Sequence, residues 1–173
     1  MHDERRWTAA LAEHEAAVSQ FIDACERVPR GDWHRSPAPA KWSPAAVALH
    51  VCRAYEWGRE AAAGAESMRP RVSSRFARLL RTLVLPVVVA TKRFPRGAVA
   101  PSELVPDAAE AQRLMPDAAA ARLRSVADQA AAALRRTRLD SGFTHAYFGP
   151  LSPLTTLRLL SAHTLHHART LKH

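Results

Sequence analysis

Paired capping and proline residues divide this chain into helix-length segments. Ser43-Pro44 and Ser152-Pro153 each place a hydroxyl before a proline, which is a favoured arrangement at a helix start. Pro116-Asp117 begins a further segment in the same way, with an acidic residue in the first turn. After each of these helix starts, apolar residues recur every three to four positions, and this spacing predicts long helices.

Five helical segments follow from this spacing, and they predict an all-α fold. Their predicted positions are Asp3 to about Val28, a second helix from Ser43, an additional apolar stretch from Val72 to Ala90, a third long helix from Pro116 to about Arg138, and a last helix from Ser152. Pro86 is expected to kink or end the additional helix. Lys92 to Asp107 is rich in proline and is predicted to be an irregular connection. The sequence shows no repeat, no convincing strand and no glycine-rich phosphate loop. Its length predicts one domain over residues 1–173.

The formal charge of +9 is concentrated in one part of the chain. The segment Ser67–Ser102 contains no acidic residue. Its basic residues are Arg69, Arg71, Arg75, Arg78, Arg81, Lys92, Arg93 and Arg96. We refer to 67–102 as the basic segment, and its charge does not describe the rest of the chain.

Cysteine content and hydropathy limit the expected location. Cys25 and Cys52 form neither a disulfide framework nor a Cys-x-x-Cys motif, so a reducing cytoplasm is expected. The first residues contain no apolar signal core. The uninterrupted apolar run from Leu83 to Ala90 is far below the ~20 residues needed to span a bilayer.

Histidines on the last helix are candidate metal ligands. His163 and His167 are spaced i, i+4, so they lie on the same helix face and can share one ion. His166 falls nearer a charged side that is expected to face water. That side carries Arg158, Arg169 and Lys172. Hydrogen-bonded core histidines are the alternative interpretation, because buried imidazoles need partners.

A third candidate ligand lies on the second helix. His50 is on its apolar half, whereas Glu56 and Glu60 lie on the polar side with the arginines. If the second and last helices pack together, the three histidines can converge. The chain has no Asp or Glu after Asp140, and it has neither a His-Glu-x-x-His nor a Glu-x-x-His motif. A zincin protease and a carboxylate-bridged di-iron protein are therefore disfavoured.

Three motifs together resemble the DinB-like (DinB/YfiT-like) superfamily. They are Lys41-Trp42-Ser43-Pro44 leading to His50, His145-Ala146-Tyr147-Phe148-Gly149-Pro150-Leu151-Ser152, and His163-Thr164-Leu165-His166-His167. The order and spacing match, although Ala146 stands where relatives often have proline. The resemblance implies a four-helix bundle. The apolar and basic helical segment between the second and third long helices is an addition to this bundle and is not a shared feature of the family. The resemblance also implies a divalent metal ion held by His50, His163 and His167.

The resemblance further implies a thiol-dependent activity. Characterised members look like thiol S-transferases or thiol-dependent isomerases that use bacillithiol, mycothiol or glutathione. The expected metal ion is Zn, Ni or Fe, and the expected substrates are a low-molecular-weight thiol and a small electrophile. Hydrolysis by an activated water is the alternative reaction. His145, Tyr147 and His166 are candidates to orient substrate, or else ordinary loop and surface residues.

A noncatalytic metal-binding module is the second hypothesis. Here the basic segment contacts an anionic partner or a membrane surface, through Arg75, Arg78 and Arg81 beside neighbouring apolar residues. Nucleic acid is disfavoured because aromatic residues are not interleaved with the arginines. A homodimer is left open.

Overall fold

The computed structural model of the protein describes residues 2–65, 68–95, 99–138 and 143–171. These residues are mostly helical, in agreement with the predicted all-α class. The α-helices are α1 (His2–Glu26), α2 (Pro44–Ala62), α3 (Ser74–Thr91), α4 (Ala108–Arg113), α5 (Pro116–Arg136) and α6 (Pro153–Thr170). Short 3-10 helices cover Arg30–Asp32 and Ser102–Leu104. Arg96, Asp140 and Lys172 lie outside the described residues.

The predicted helix starts are confirmed by their capping hydrogen bonds. The Ser43 side chain accepts from the backbone N–H of Ala46 in α2, and Ser152 accepts from Thr155 in α6, each at 3.3 Å. Both helices then have proline at their first position. These bonds satisfy N–H groups that would otherwise lack an intrahelical partner. Local sequence therefore places the two helices that carry the candidate ligands.

Four of the five long helices in the described residues pack in two main pairs, α1 along α6 and α2 along α5, with further contacts joining α2 to α6 and α1 to α5. Gly58 marks a close approach of α2 to α6, because a Cβ atom there would lie 3.0 Å from Leu160 Cδ1. Nearby, the Tyr55 hydroxyl lies 3.0 Å from Thr164 Oγ1 and 3.3 Å from His14 Nδ1. His14 is thus a core residue. These contacts hold α2 and α6 in a fixed relation.

Of the two alternatives predicted for Pro86, a kink or a helix end, the helix end is wrong, because α3 continues through Pro86 to Thr91. Within a helix, proline removes one N–H from the hydrogen-bond ladder, and its ring crowds the carbonyl of the residue four positions earlier. Burial of Leu85 and Val88 on the same helix offsets that loss by removing two large apolar side chains from water.

The expectation of no strand is also wrong. β1 (Phe143–His145) pairs antiparallel with β2 (Gly149–Leu151), with His145 opposite Gly149. Strands of three residues are too short to produce a period-two pattern. Gly149 has a φ of 65°, which favours glycine. The hairpin lies immediately before α6 and fixes the position of His145.

The basic segment is only partly a solvated face. Arg81 donates to the backbone oxygen of Pro150 at 2.8 Å, and Lys92 pairs with Glu13 at 3.1 Å. On α6, Arg169 is exposed as predicted, but Arg158 is only partly exposed. No helix among the described residues is long and apolar enough to cross a membrane.

Candidate metal centre

The three predicted ligands converge between α2 and α6. His50 Nε2 lies 2.9 Å from His163 Nε2, and His167 Nε2 lies 3.2 Å from His163 Nε2. The candidate ligand atoms of these residues all lie within 4.8 Å of one another. We call His50, His163 and His167 the histidine cluster. His163 and His167 meet because they are one helical turn apart, whereas His50 is brought to them by helix packing.

The proton on His50 is placed by a backbone contact. Its Nδ1 lies 2.7 Å from the carbonyl oxygen of Leu104, an acceptor only, so Nδ1 carries the proton. The Nε2 lone pair of His50 therefore faces His163. Such a hydrogen bond from the outer ring nitrogen is the usual way a metal-binding imidazole is oriented. His163 Nδ1 is buried without a hydrogen-bond partner among the described residues.

Two of the three distances between candidate ligand atoms in the histidine cluster fit a shared ion. A single proton on His163 Nε2 cannot point at both of its neighbours, so hydrogen bonding alone satisfies one close contact at a time. Nitrogen ligands at ~2.0–2.1 Å from one ion lie roughly 2.9–3.4 Å apart for bond angles between 90° and 109°. The contacts of 2.9 and 3.2 Å fall in this range.

Electrostatics keep the histidine cluster uncharged. Burial lowers the pKa of His163 well below its usual 6.5, and the neighbouring His167 and His50 lower it further. Burial likewise lowers the pKa of His167 and of His50. Neutral imidazole is the form that binds a metal ion.

His166 lies beside the histidine cluster and outside it. Its Nδ1 accepts the backbone N–H of Phe94 at 3.4 Å, and its ring packs against the Phe94 ring with centroids 5.4 Å apart. Partial burial and then the nearby Arg169 lower its pKa. The adjacent residues His166 and His167 thus have different surroundings.

The histidine cluster forms part of the wall of a cavity of about 1250 Å³. The remaining wall is mostly apolar and includes five aromatic side chains: Trp42, Trp57, Phe94, Tyr147 and Phe148. Among the described lining residues there is no carboxylate, and Lys41 is the only residue with a permanent charge. The cavity therefore suits an apolar molecule better than a multiply charged one.

His145, one of the candidates for orienting substrate, lies on β1 and lines this cavity. Its Nδ1 accepts the backbone N–H groups of Tyr147 at 3.2 Å and Phe148 at 3.4 Å, so its proton is on Nε2. Burial lowers the pKa of His145 to about 4. At neutral pH this ring is a neutral hydrogen-bond donor with a fixed tautomer. The Tyr147 hydroxyl donates to the backbone oxygen of Val99 at 3.0 Å.

Sequence reasoning missed Trp57 and Phe94 as cavity walls. Trp57 lies seven residues after His50, two turns along the same face of α2, and this spacing is the signal that identifies it. Phe94 follows α3 in an irregular segment, where no periodicity indicates its direction.

The expectation that Glu56 faces solvent is wrong. Its Oε1 lies 2.7 Å from a guanidinium nitrogen of Arg122, so Glu56 is part of the contact between α2 and α5. Glu60 is largely exposed and contacts Arg59. Neither carboxylate lines the cavity.

The fold and the histidine cluster define a class of helical protein in which two helices present three neutral imidazoles at the wall of an apolar cavity. The family model of the DinB superfamily matches residues 10–171, and the chain belongs to that superfamily. Comparison with curated proteins and with solved structures found no match.

Proposed function

We propose that the protein binds one divalent metal ion through His50, His163 and His167 and catalyses transfer of a low-molecular-weight thiol to a small apolar electrophile. The observation that carries this proposal is the convergence of three neutral imidazoles at a cavity wall without a carboxylate. When bound, the ion supplies Lewis acidity that favours the thiolate form of a thiol. Zn, Ni and Fe all suit imidazole ligands.

The absence of a lining carboxylate among the described residues favours thiol transfer over hydrolysis. Activation of water is commonly assisted by a carboxylate or histidine base. Glu56 is paired with Arg122, and His145 Nδ1 already accepts two backbone N–H groups. A thiol has a free pKa of about 8.5 and needs far less help than water to lose its proton.

The cavity supplies binding and orientation for the electrophile. Its aromatic walls exclude water and pack against an apolar body, such as that of an alkyl halide or epoxide. The Nε2–H of His145 is available to donate to an oxygen or halogen of the electrophile. Lys41, which lies just before α2, provides one positive charge for a carboxylate of the thiol. A thiol-dependent isomerisation uses the same residues.

The fold supports the same assignment. Helices α1, α2, α5 and α6 form the four-helix bundle of the family, and α3 is the additional helical segment between the second and third of them. This arrangement is supported by the pairing of α1 with α6 and of α2 with α5. A cytoplasmic location is proposed because such thiols are kept reduced there.

The test is a thiol-dependence screen. Purified protein loaded separately with Zn, Ni or Fe is mixed with mycothiol, bacillithiol or glutathione and with an alkyl halide, an epoxide or a maleyl-type acid. Loss of the electrophile is expected only when both metal and thiol are present, and it should be absent in His163→Ala. Consumption without any thiol would favour hydrolysis. No consumption across the panel by metal-loaded protein would contradict catalysis and favour the noncatalytic module.

A further inference from the structure

Helix α3 exposes a continuous apolar surface. Phe76, Leu79, Leu83 and Val87 are 48–60% exposed, and their spacing of three to four residues places them along one line of the helix. We call these four residues the α3 stripe. The opposite side of α3 buries Ala77, Leu85 and Val88 toward α6 and the hairpin. Packing on the protein therefore explains one face of α3 and leaves the α3 stripe unexplained.

One flank of the α3 stripe is cationic. At about 100° per residue, Arg75 and Arg78 project beside the stripe on one side of the helix, and Arg81 continues this row toward the protein, where it donates to the backbone oxygen of Pro150. Arg75 and Arg78 are exposed, and α3 contains no acidic residue. On this flank, Arg81 and Arg158 line a cleft of about 320 Å³. The buried Nε of Arg158 has no hydrogen-bond partner among the described residues.

We propose that the α3 stripe docks on the surface of an anionic lipid bilayer, with the flanking arginines against the lipid phosphates. An apolar face beside basic residues is the composition of helices that lie in the plane of a membrane interface. At 18 residues, α3 is roughly 27 Å long and lies along the surface without crossing it. Arginine forms paired hydrogen bonds to phosphate oxygens, and each basic residue near an anionic surface adds to binding.

Charge favours a bilayer over a second copy of the chain. The α3 helix of a second copy offers only more positive charge, because Arg75 and Arg78 are exposed on it as well. Helix α3 contains no carboxylate to neutralise them. An anionic bilayer instead supplies both an apolar layer and the opposite charge. This docking surface is separate from the histidine cluster, so its test does not depend on the proposed catalysis.

The experiment is co-sedimentation of the full chain with vesicles of phosphatidylcholine alone and with vesicles that also contain phosphatidylglycerol. We expect binding to the anionic vesicles only, and we expect it to weaken as salt is raised. Leu79→Ser/Leu83→Ser should weaken binding at least about tenfold, because the apolar contact is lost. Val105→Ser/Met115→Ser, which removes two exposed apolar side chains from elsewhere, is the matched control and should bind normally.

A second pair of variants tests the position of the positive charge, with the same change in net charge in both variants. Arg75→Glu/Arg78→Glu should lose at least about tenfold in affinity for anionic vesicles. Arg124→Glu/Arg136→Glu makes the same change in net charge on exposed positions of α5 and should retain most of the binding. Equal losses in the two double variants would show a non-specific charge effect and overturn the proposal.

The oligomeric state provides an independent outcome. Sedimentation velocity without lipid is expected to give the same mass for the unaltered protein and for Leu79→Ser/Leu83→Ser. A dimer that this variant converts to a monomer, without vesicle binding by either, would make the α3 stripe an interface between two copies. Equal binding to neutral and anionic vesicles would also overturn the proposed role of the arginines.

Discussion

Metal binding should stabilise the folded protein through the histidine cluster, and two adjacent residues allow a matched test. His167→Ala removes a ligand whose Nε2 lies 3.2 Å from His163 Nε2. His166→Ala removes the neighbouring ring, which contacts Phe94 outside the cluster. Both changes remove an imidazole from the last part of α6. Only the first leaves two ligands in place of three.

The expected size of the effect follows from linkage. An ion that binds only the folded state stabilises it by about 2.7 kcal/mol when its free concentration is 100 times its dissociation constant. For a protein of this size, 1 kcal/mol corresponds to roughly 2–4 °C in melting temperature. Saturating metal should therefore raise the melting temperature by about 5–11 °C. The gain is expected to be large because an ion bound by all three histidines would join α2 to α6, and these side chains do not converge in the unfolded chain.

The assay is thermal unfolding followed by circular dichroism, with metal-free protein and with added Zn, Ni or Fe. Elemental analysis of the purified proteins gives the metal content. We expect close to one ion per chain in the unaltered protein and in His166→Ala, and little in His167→Ala. Equal metal loss and equal loss of the thermal shift in both variants would refute the assignment of ligands.

Three further predictions concern stability. Because burial lowers the pKa of His145 to about 4, its folded state binds fewer protons than the unfolded chain. The contribution of neutral His145 to the free energy of unfolding is present above about pH 6.5 and is lost as pH falls toward 4. In urea unfolding, His145→Asn should therefore lose less stability between pH 7 and pH 5 than the unaltered protein does. Arg122→Ala should cost about 1 kcal/mol in urea unfolding, because it contacts two partly buried carboxylates, whereas Arg27→Ala, in an exposed pair, should change stability very little. Gly58→Ala should lower the free energy of unfolding by about 1 kcal/mol, because the added methyl group crowds Leu160 by more than the gain in helix propensity offsets. Adding Leu160→Val to this variant should restore part of the loss.

The helices were predictable from the sequence because their signals are local. A serine cap followed by proline specifies the start of α2 and of α6 within a few residues of chain. The pairing of His163 with His167 is equally local, since one helical turn separates them. The motifs around these residues also led to the family, which the match over residues 10–171 confirms.

Short and irregular elements were not predictable in the same way. Each strand of the hairpin is three residues long, and its position depends on contacts with neighbouring elements. The tautomer of His145 depends on backbone N–H groups that only this turn directs at its ring. The path of α3 through Pro86 depends on burial against α6, which outweighs the local preference of proline.

Tertiary structure alone decided how the site is completed. His50 lies 113 residues from His163 in the chain, and the contact of 2.9 Å between their rings exists because α2 packs closely against α6. The carbonyl of Leu104 that fixes the proton of His50 comes from a segment with no helical periodicity. Sequence periodicity indicates which face of a helix is buried, but the distance between two faces depends on the side chains that pack between them.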